Sequence, residues 1–404
     1  MIRVLHFADF HLGMENYGRL DIETGLSSRV RDFLVILDHI VDVAVQEGVD
    51  AVVFAGDAYR NRDPSLTYQR EFSRRIGRMA SRGIAVILLV GNHDLPNAIG
   101  RATPLDIYET LAVERVHVFA EPATRTISTN GGPLQIVALP WVRRDRFISS
   151  ESLGTTTADQ LDLELNDVIT TWIAEQAKAL DPVIPAIMVA HATIHGARYG
   201  SERKVLLGRD LVLTSAAVDL PAFAYVALGH IHKPQVLGAV TPIVYSGSTE
   251  RIDFGEEKED KTFVLVDVEA GHSALPRFQP ITTRKFLTVS ATLGEDDPTQ
   301  TVLDAIGRQN IRGTIVRVVV EGSQEKLKAI NRGDIVSAVR EAHFFAGLQQ
   351  RVTSDDRRPR LAEFGEGLTP QEALRHYFES RKITGERYRK LMSVAEQMIA
   401  AQNG

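Results

Sequence analysis

The chain has no cysteine among its 404 residues. Disulfides, thiolate zinc sites and iron–sulfur clusters are thereby excluded, and a chain without disulfides fits a cytoplasmic location. No apolar run is long enough to span a bilayer. The longest, near Ile84 to Val90, falls far short of the roughly 20 residues required. The amino terminus enters a strand-like stretch almost at once, leaving no basic segment ahead of an apolar one, so no secretory leader is expected. Internal repeats and low-complexity tracts are missing too. Nor is there a strong excess of one charge: 46 Lys and Arg stand against 52 Asp and Glu, a net of −6. A balance of that size decides nothing about nucleic acid, whose electrostatic footprint is a local patch. What remains is a large chain of ordinary composition, 44% hydrophobic and 24% charged, with room for two or three domains.

One ordered series of polar residues stands out. Five short apolar runs each stop at such residues: VLHFADFH at Asp9 and His11, AVVFAGD at Asp57, VILLVGNHD at Asn92 and His93, IMVAH at His191, and YVALGHIH at His230 and His232. Runs of this length and β-branched content read as strands buried on both faces. In such sheets functional groups gather beyond the carboxyl ends of the strands. Five successive strand ends bearing carboxylate, amide or imidazole describe one polar site, that of a metal-dependent enzyme. Mixed oxygen and nitrogen donors suit manganese, iron or zinc. Seven ligands exceed what one ion can hold beside water and substrate, and suit two ions about 3.5–4 Å apart. Asp57, in the middle of the series, is the candidate bridging carboxylate. Asp9 with His11, and His230 with His232, are spaced i, i+2, so on extended backbone each pair points to one side. His6, His39, His117, His272, His343 and His376 lie outside the series and read as hydrogen-bonded core residues, whereas His195 follows His191 closely enough to line the site.

The series D-x-H, G-D, G-N-H-D, H and G-H-x-H resembles the calcineurin-like metallophosphoesterase superfamily. Within it, FADFHLG, VFAGDAYRNRDPS and GNHD are similar to the SbcD-type nuclease subunits, the bacterial branch of the meiotic-recombination nuclease family. The resemblance implies that Asp9, His11, Asp57 and His232 hold one ion and that Asp57, Asn92, His191 and His230 hold the other. It makes His93 the catalytic histidine, oriented by Asp94. It also implies manganese as the metal pair, DNA ends as substrate, an SbcC/Rad-type coiled-coil ATPase as partner, a homodimer through helices near Leu66–Ser81 and Pro104–Leu111, and work in the cytoplasm at the nucleoid. Several relatives carry a histidine where this chain has Arg60, and an arginine there suits a phosphate. Arg60 and Arg198, each just past a metal motif, are the candidate DNA or phosphate contacts.

Periodicity and chain breakers set the layout. Val30–Glu47, Leu66–Ser81, Pro104–Leu111 and Thr157–Leu180 read as helices, and Asn130-Gly131-Gly132 as a turn before a strand at Leu134–Pro140. Helices alternate with the metal-motif strands early and strands dominate later, which predicts an α/β two-sheet sandwich flanked by helices. Residues 1–280 are the expected catalytic domain. Residues 281–367 are a small β/α module, in the resembling family a DNA-capping domain, with FLTVSATL and TIVRVVVEG as strands and helices near Val302–Ile306 and Asp334–Ala342. Ser354–Gly367 reads as a linker, and residues 368–404 as a helical segment. There Thr369, Pro370 and Glu372 have the form of a capping box with proline at the first helical position. Thr384 caps a further helix whose apolar face suits docking on the ATPase or packing on this chain. Two other functions fit parts of the pattern. One is hydrolysis of small phosphodiesters or phosphoproteins, although GNHD and GDAYRNR differ from the GNHE and GDxVDRG of phosphoprotein phosphatases. The other is a scaffold binding DNA and an ATPase, which the intact ligand set disfavours.

Overall fold

The computed structural model describes residues 1–96, 98, 100–143, 158–200, 211–353, 372, 374–375, 377–378 and 383–402. The strands, in chain order, are β1 (Ile2–Phe7), β2 (Ala51–Phe54), β3 (Ala85–Leu89), β4 (Val116–Phe119), β5 (Ala123–Thr129), β6 (Gly132–Leu139), β7 (Ala186–His191), β8 (Thr193–Ile194) and β9 (Val212–Leu213). There follow β10 (Tyr225–Gly229), β11 (Gln235–Leu237), β12 (Ile243–Tyr245), β13 (Lys261–Val268), β14 (Arg277–Ile281), β15 (Phe286–Thr292), β16 (Ile315–Gly322) and β17 (Phe344–Val352). The chain divides into two compact units. The first is Met1–Thr288 with Ile311–Val316 and Ala342–Ala346; the second is Val289–Asn310, Arg317–Glu341 and the chain from Gly347 onward.

Two six-stranded sheets make the first unit, in the orders β14-β13-β1-β2-β3-β4 and β11-β12-β10-β7-β6-β5. Within the first, β1 to β4 are mutually parallel, and within the second, so are β6, β7, β10 and β12. Period-two alternation sorts their side chains. Val4, Val53 and Ile87 of one sheet and Ile136, Ile187, Val189 and Ala227 of the other share the core between the sheets. Leu5, Phe7, Val52, Phe54 and Leu88 face outward onto the helices Ser28–Gln46 and Leu66–Ala80. The helix Ser28–Gln46 answers with Val30, Phe33, Leu34, Leu37, Ile40, Val41 and Ala44, a stripe at helical spacing. Its first turn is capped by Ser27, whose side chain accepts the Arg29 amide. On the far side, Val137, Met188, Val226 and Leu228 pack against Leu165, Ile169 and Ile173 of the helix Ala158–Ala179. Full burial of each such Leu, Ile or Phe contributes roughly 1.5–3 kcal/mol. The result is the expected sandwich, in the order helix, sheet, sheet, helix.

Three local differences have physical causes. The expected helix Pro104–Leu111 is a single turn, Asp106–Thr110. Asp106 is engaged by the Thr103 amide and hydroxyl ahead of it, and Ala112 at φ 48° ends it. The expected domain boundary at residue 280 falls inside β14, which continues to Ile281 with Pro280 paired to Thr262. An edge strand tolerates a residue without an N–H, and β14 is at the edge. Neither β17, whose FFAGLQQRV lacks clean alternation, nor the short helix Gln324–Lys328 is among the expected elements.

The strands β15, β16 and β17 form a three-stranded sheet and carry the chain from the first unit into the second. In the second unit the helix Pro298–Gly307 has Asp297 as its cap, accepting the Gln300 amide, and proline at its start. The helix expected near Asp334–Ala342 is Arg332–Ala338. Ser354–Gly367, Thr369 and Pro370 lie outside the described residues. The terminal helix runs Gly385–Gln402, with Met392 buried and Leu391 and Met398 exposed. Among the described residues no helix is long and apolar enough to cross a membrane.

Candidate metal centre

All five motif strands, β1, β2, β3, β7 and β10, are interior strands of their sheets, and their exits converge. The loop leaving β1 runs beside the loop leaving β2: the amides of Asp9, Phe10, His11 and Leu12 donate to the carbonyls of Gly56, Asp57, Asp57 and Ala58 at 2.9–3.0 Å. Here the backbone is not extended. Asp9, His11, Asp57 and His230 adopt φ of 51°, 48°, 63° and 92°. The i, i+2 argument from extended strands therefore fails for Asp9 and His11, which come together through left-handed turns. Asp and His tolerate that conformation better than branched residues, at a cost of about 1–2 kcal/mol each.

Two glycines are required by close approach. A Cβ on Gly91 would lie 2.1 Å from the Asp57 Oδ1 and 2.4 Å from the Asp57 amide nitrogen. A Cβ on Gly229 would lie 2.2 Å from the Ala55 carbonyl oxygen. Only bare backbone lets these loops close on one another.

The seven expected ligands are brought together. One donor atom each of Asp9, His11 and His232, of His11, Asp57 and His93, and of Asp9, Asp57 and His191 lie within 4.8 Å of one another. The His11 and His232 Nε2 atoms are 3.1 Å apart. Asp57 Oδ2 is 3.8 Å from His11 Nε2 and 3.4 Å from His191 Nε2, between the two groups as a bridging carboxylate must be. Asn92 Oδ1 lies 3.0 Å from His191 Nε2 and 3.2 Å from His230 Nδ1. Asp9 also accepts the His230 amide on both oxygens, at 2.9 and 3.0 Å. The ligands other than Asn92 are buried, while Asn92 and His93 are half-buried.

Electrostatics favour cations here. Burial opposes ionisation, yet the imidazoles of His191, His93 and His11 hold the Asp57 carboxyl well below the usual range. Burial also opposes charge on His191, but Asp57 and then Asp9 raise it to about 9. Burial pushes His11 well below the ordinary imidazole value. His191 donates Nδ1–H to the Ala55 carbonyl at 2.7 Å, so on binding a cation it is the Nε2 proton, toward Asp57 and Asn92, that the ring would give up. Convergent ring nitrogens and carboxylate oxygens with no thiolate fit two hard or borderline divalent ions.

Around these ligands the structure revises some roles. Asp94 makes no hydrogen bond to the His93 ring. Its carboxylate is fully buried and accepts the backbone amides of Asp57, Ala58, Tyr59 and Gly91. His93 is oriented instead by its own amide, which donates to Asp57 Oδ1 at 2.8 Å, and by Nδ1, 2.7 Å from the Arg60 carbonyl. Arg60 thus acts here through its main chain, and its guanidinium lies 3.4 Å from Asn16 Oδ1. Arg198 is exposed, its backbone amide and carbonyl both held by the Gln235 side chain. His195 is exposed, and its carbonyl accepts from Ser215. Two further residues at the site carry no sequence signal. Trp141, just past β6, sets its ring 4.8 Å from that of His230 and 6.0 Å from that of His191. Glu256 accepts from His232 Nδ1 at 2.8 Å. It lies in an acidic surface-like run, EEKED, that no ligand spacing would single out.

A helix-flanked double sheet with candidate metal ligands clustered at its strand ends is the mark of a metallophosphoesterase, and residues 2–234 match the calcineurin-like phosphoesterase family. The chain belongs to that family, whose members are enzymes with a dinuclear divalent-metal site. It is 30% identical over 283 residues to the SbcD subunit of the SbcCD nuclease of Bacillus subtilis, covering 68% of each chain. The corresponding subunit of Rhodobacter capsulatus is 28% identical over 298 residues, with 69% of this chain and 71% of that one covered. A DNA double-strand break repair protein of Halobacterium salinarum is 26% identical over 328 residues, covering 80% and 71%.

Proposed function

We propose that this chain is the nuclease subunit of a DNA double-strand-break repair complex, hydrolysing phosphodiesters with two manganese ions and partnered by an SbcC/Rad-type ATPase. The observation that carries this reading is the convergence of Asp9, His11, Asp57, Asn92, His191, His230 and His232 around one bridging carboxylate with His93 open beside them. Similarity to SbcD-type subunits and to a break-repair protein supports DNA as the substrate. Asp9, His11, Asp57 and His232 are assigned to one ion, and Asp57, Asn92, His191 and His230 to the other. When bound, the ions supply the Lewis acidity that activates water and offsets charge on the phosphodiester oxygens.

The chain's own residues do the rest. With Nδ1 held at the Arg60 carbonyl, His93 keeps Nε2 for the substrate. There an Nε2–H would donate to the phosphoryl or leaving oxygen. Asp94 fixes the loops that carry Asp57 and Asn92. Exonuclease action at DNA ends, with endonuclease cleavage beside it, is the expected activity. Residues 281–367 are assigned to holding DNA, residues 368–404 to docking the ATPase, and homodimerisation to the helices Leu66–Ala80 and Asp106–Thr110.

The test is cleavage of end-labelled duplex DNA by the purified chain with manganese, alone and with the ATPase. His93→Ala should lower the rate at least a hundredfold while manganese stoichiometry stays at two. Absence of cleavage under both conditions refutes the nuclease. Loss of both ions from His93→Ala would move that histidine among the ligands. Failure of DNA ends to compete with a nitrophenyl diester would favour a small-diester hydrolase.

A further inference from the structure

The carboxylate of Glu256 is completely buried, beneath the site and outside the ligand series. Its Oε1 faces His232 Nδ1 at 2.8 Å. Its Oε2 faces two donors, the Ile252 amide at 2.9 Å and the Lys261 ammonium at 2.9 Å. Lys261 is itself buried and is held by Ser248 Oγ at 2.8 Å and Glu259 Oε2 at 3.1 Å. One oxygen of Glu256 is thus committed to backbone and ammonium, and the other can only accept. A carboxylate in that setting requires His232 to carry its proton on Nδ1, which leaves the Nε2 lone pair directed at His11 Nε2, 3.1 Å away.

We infer that Glu256, held by Lys261 and the Ile252 amide, is a positioning residue that fixes His232 in the ligating tautomer and so sets the affinity of the ion shared by His11 and His232. This deepens the two-metal reading above and rests on it. The polarity of the Glu256 surroundings supplies an isosteric test. In Glu256→Gln the side-chain carbonyl must turn toward Lys261 and the Ile252 amide, because an NH2 group there would meet two donors. The amide NH2 then meets His232 Nδ1, which must accept. The proton moves to Nε2, and the lone pair facing His11 is lost with almost no change in volume. Outer partners of this kind typically change metal affinity about 10–100-fold.

Two measurements decide the matter. In the metal-free full-length chain with 15N-labelled histidine, His232 resonances identified by their loss in His232→Gln should report protonated Nδ1 and unprotonated Nε2. Glu256→Gln should reverse the pattern. Manganese titration followed by electron paramagnetic resonance of the free ion should then show one of two sites weakened about 10–100-fold and the other unchanged. A wild-type His232 protonated on Nε2 overturns the inference without any variant, so it stays testable should Glu256→Gln fold poorly. Equal weakening of both sites, or of neither, in a folded variant also overturns it, since a merely structural loss has no reason to select one ion. If the wild-type chain binds no manganese while the tautomer is as expected, the two-metal reading has failed and the positioning of His232 by Glu256 has not.

Discussion

Replacing Asp94 with Asn separates two roles for a residue beside the candidate catalytic histidine. Asp94 Oδ2 accepts the Asp57 amide at 2.9 Å and the Gly91 amide at 3.0 Å, and Oδ1 accepts Ala58 at 3.0 Å and Tyr59 at 3.2 Å. Burial and the nearby Asp57 carboxylate push this group up to about 7, while the backbone donors favour its charged form. An asparagine has one acceptor oxygen. Placed at Oδ2, it keeps the Asp57 and Gly91 amides but turns an NH2 group on those of Ala58 and Tyr59. A buried donor left unpaired costs about 1–3 kcal/mol. Ala58 retains a second contact to Oδ2 at 3.2 Å, so the expected loss is about 2–4 kcal/mol. Both tryptophans, Trp141 and Trp172, lie in the first unit, so guanidinium unfolding of the metal-free protein followed by tryptophan fluorescence reports on the right part. At pH 8 the midpoint should fall clearly, and manganese affinity should fall with it because the displaced amides of Ala58 and Tyr59 belong to the loop that carries Asp57. An unchanged midpoint with a large loss of cleavage rate would refute the clamp and return Asp94 to the role of orienting His93.

Two more predictions test the packing around the site. His6 is buried between the sheets with Nδ1 2.9 Å from the Tyr225 hydroxyl, and burial lowers it to about 3. Unfolded histidine titrates near 6.5, so on acidification the unfolded state takes the proton first and the stabilisation from a neutral His6 is lost from pH ~6.5 down toward ~3. Between pH 6.5 and 5 the wild type should lose about 1.6 kcal/mol relative to His6→Phe, and parallel pH profiles would count against this. Gly91→Ala, with its Cβ 2.1 Å from Asp57 Oδ1, should cost more than the ~1–3 kcal/mol of ordinary overpacking and weaken manganese binding. Gly77→Ala, in the helix Leu66–Ala80 with open space around it, should instead stabilise by about 0.5–1 kcal/mol. Thermal melts showing the same sign for both glycines would contradict the close-approach argument.

The parts of the site that were legible in the sequence are those encoded by local rules. A β-branched run such as AVVF, buried on both faces, reads as an interior strand, and a parallel interior strand delivers its last residue to one edge of the sheet. Five such runs therefore mark Asp9, Asp57, Asn92, His191 and His230 as neighbours on the strength of pattern alone. The hairpin at Asn130-Gly131 was equally local, a turn that β5 and β6 close. What escaped depends on where side chains turn after the strand ends. Asp94 follows His93 by one residue and reads as its partner, yet it points inward because four amides of adjoining strand exits need an acceptor there. Glu256 lies 24 residues beyond His232, in a run of charges that looks like solvated surface. Only the return of the chain along β13, which brings Lys261 beneath the site, makes it a buried carboxylate.

The left-handed residues show why these two kinds of information diverge. Asp9, His11, Asp57 and His230 hold a conformation that costs about 1–2 kcal/mol each, and no local preference in FADFH or ALGHIH would choose it. It persists because the strands on either side are fixed by cores that each bury many side chains, so the strain falls on loops with no freedom to relax. A sequence pattern reads the strands that impose the constraint. The conformation forced on these side chains is a consequence of all five strands at once, and it is the reason donor atoms from five separate segments converge on one site.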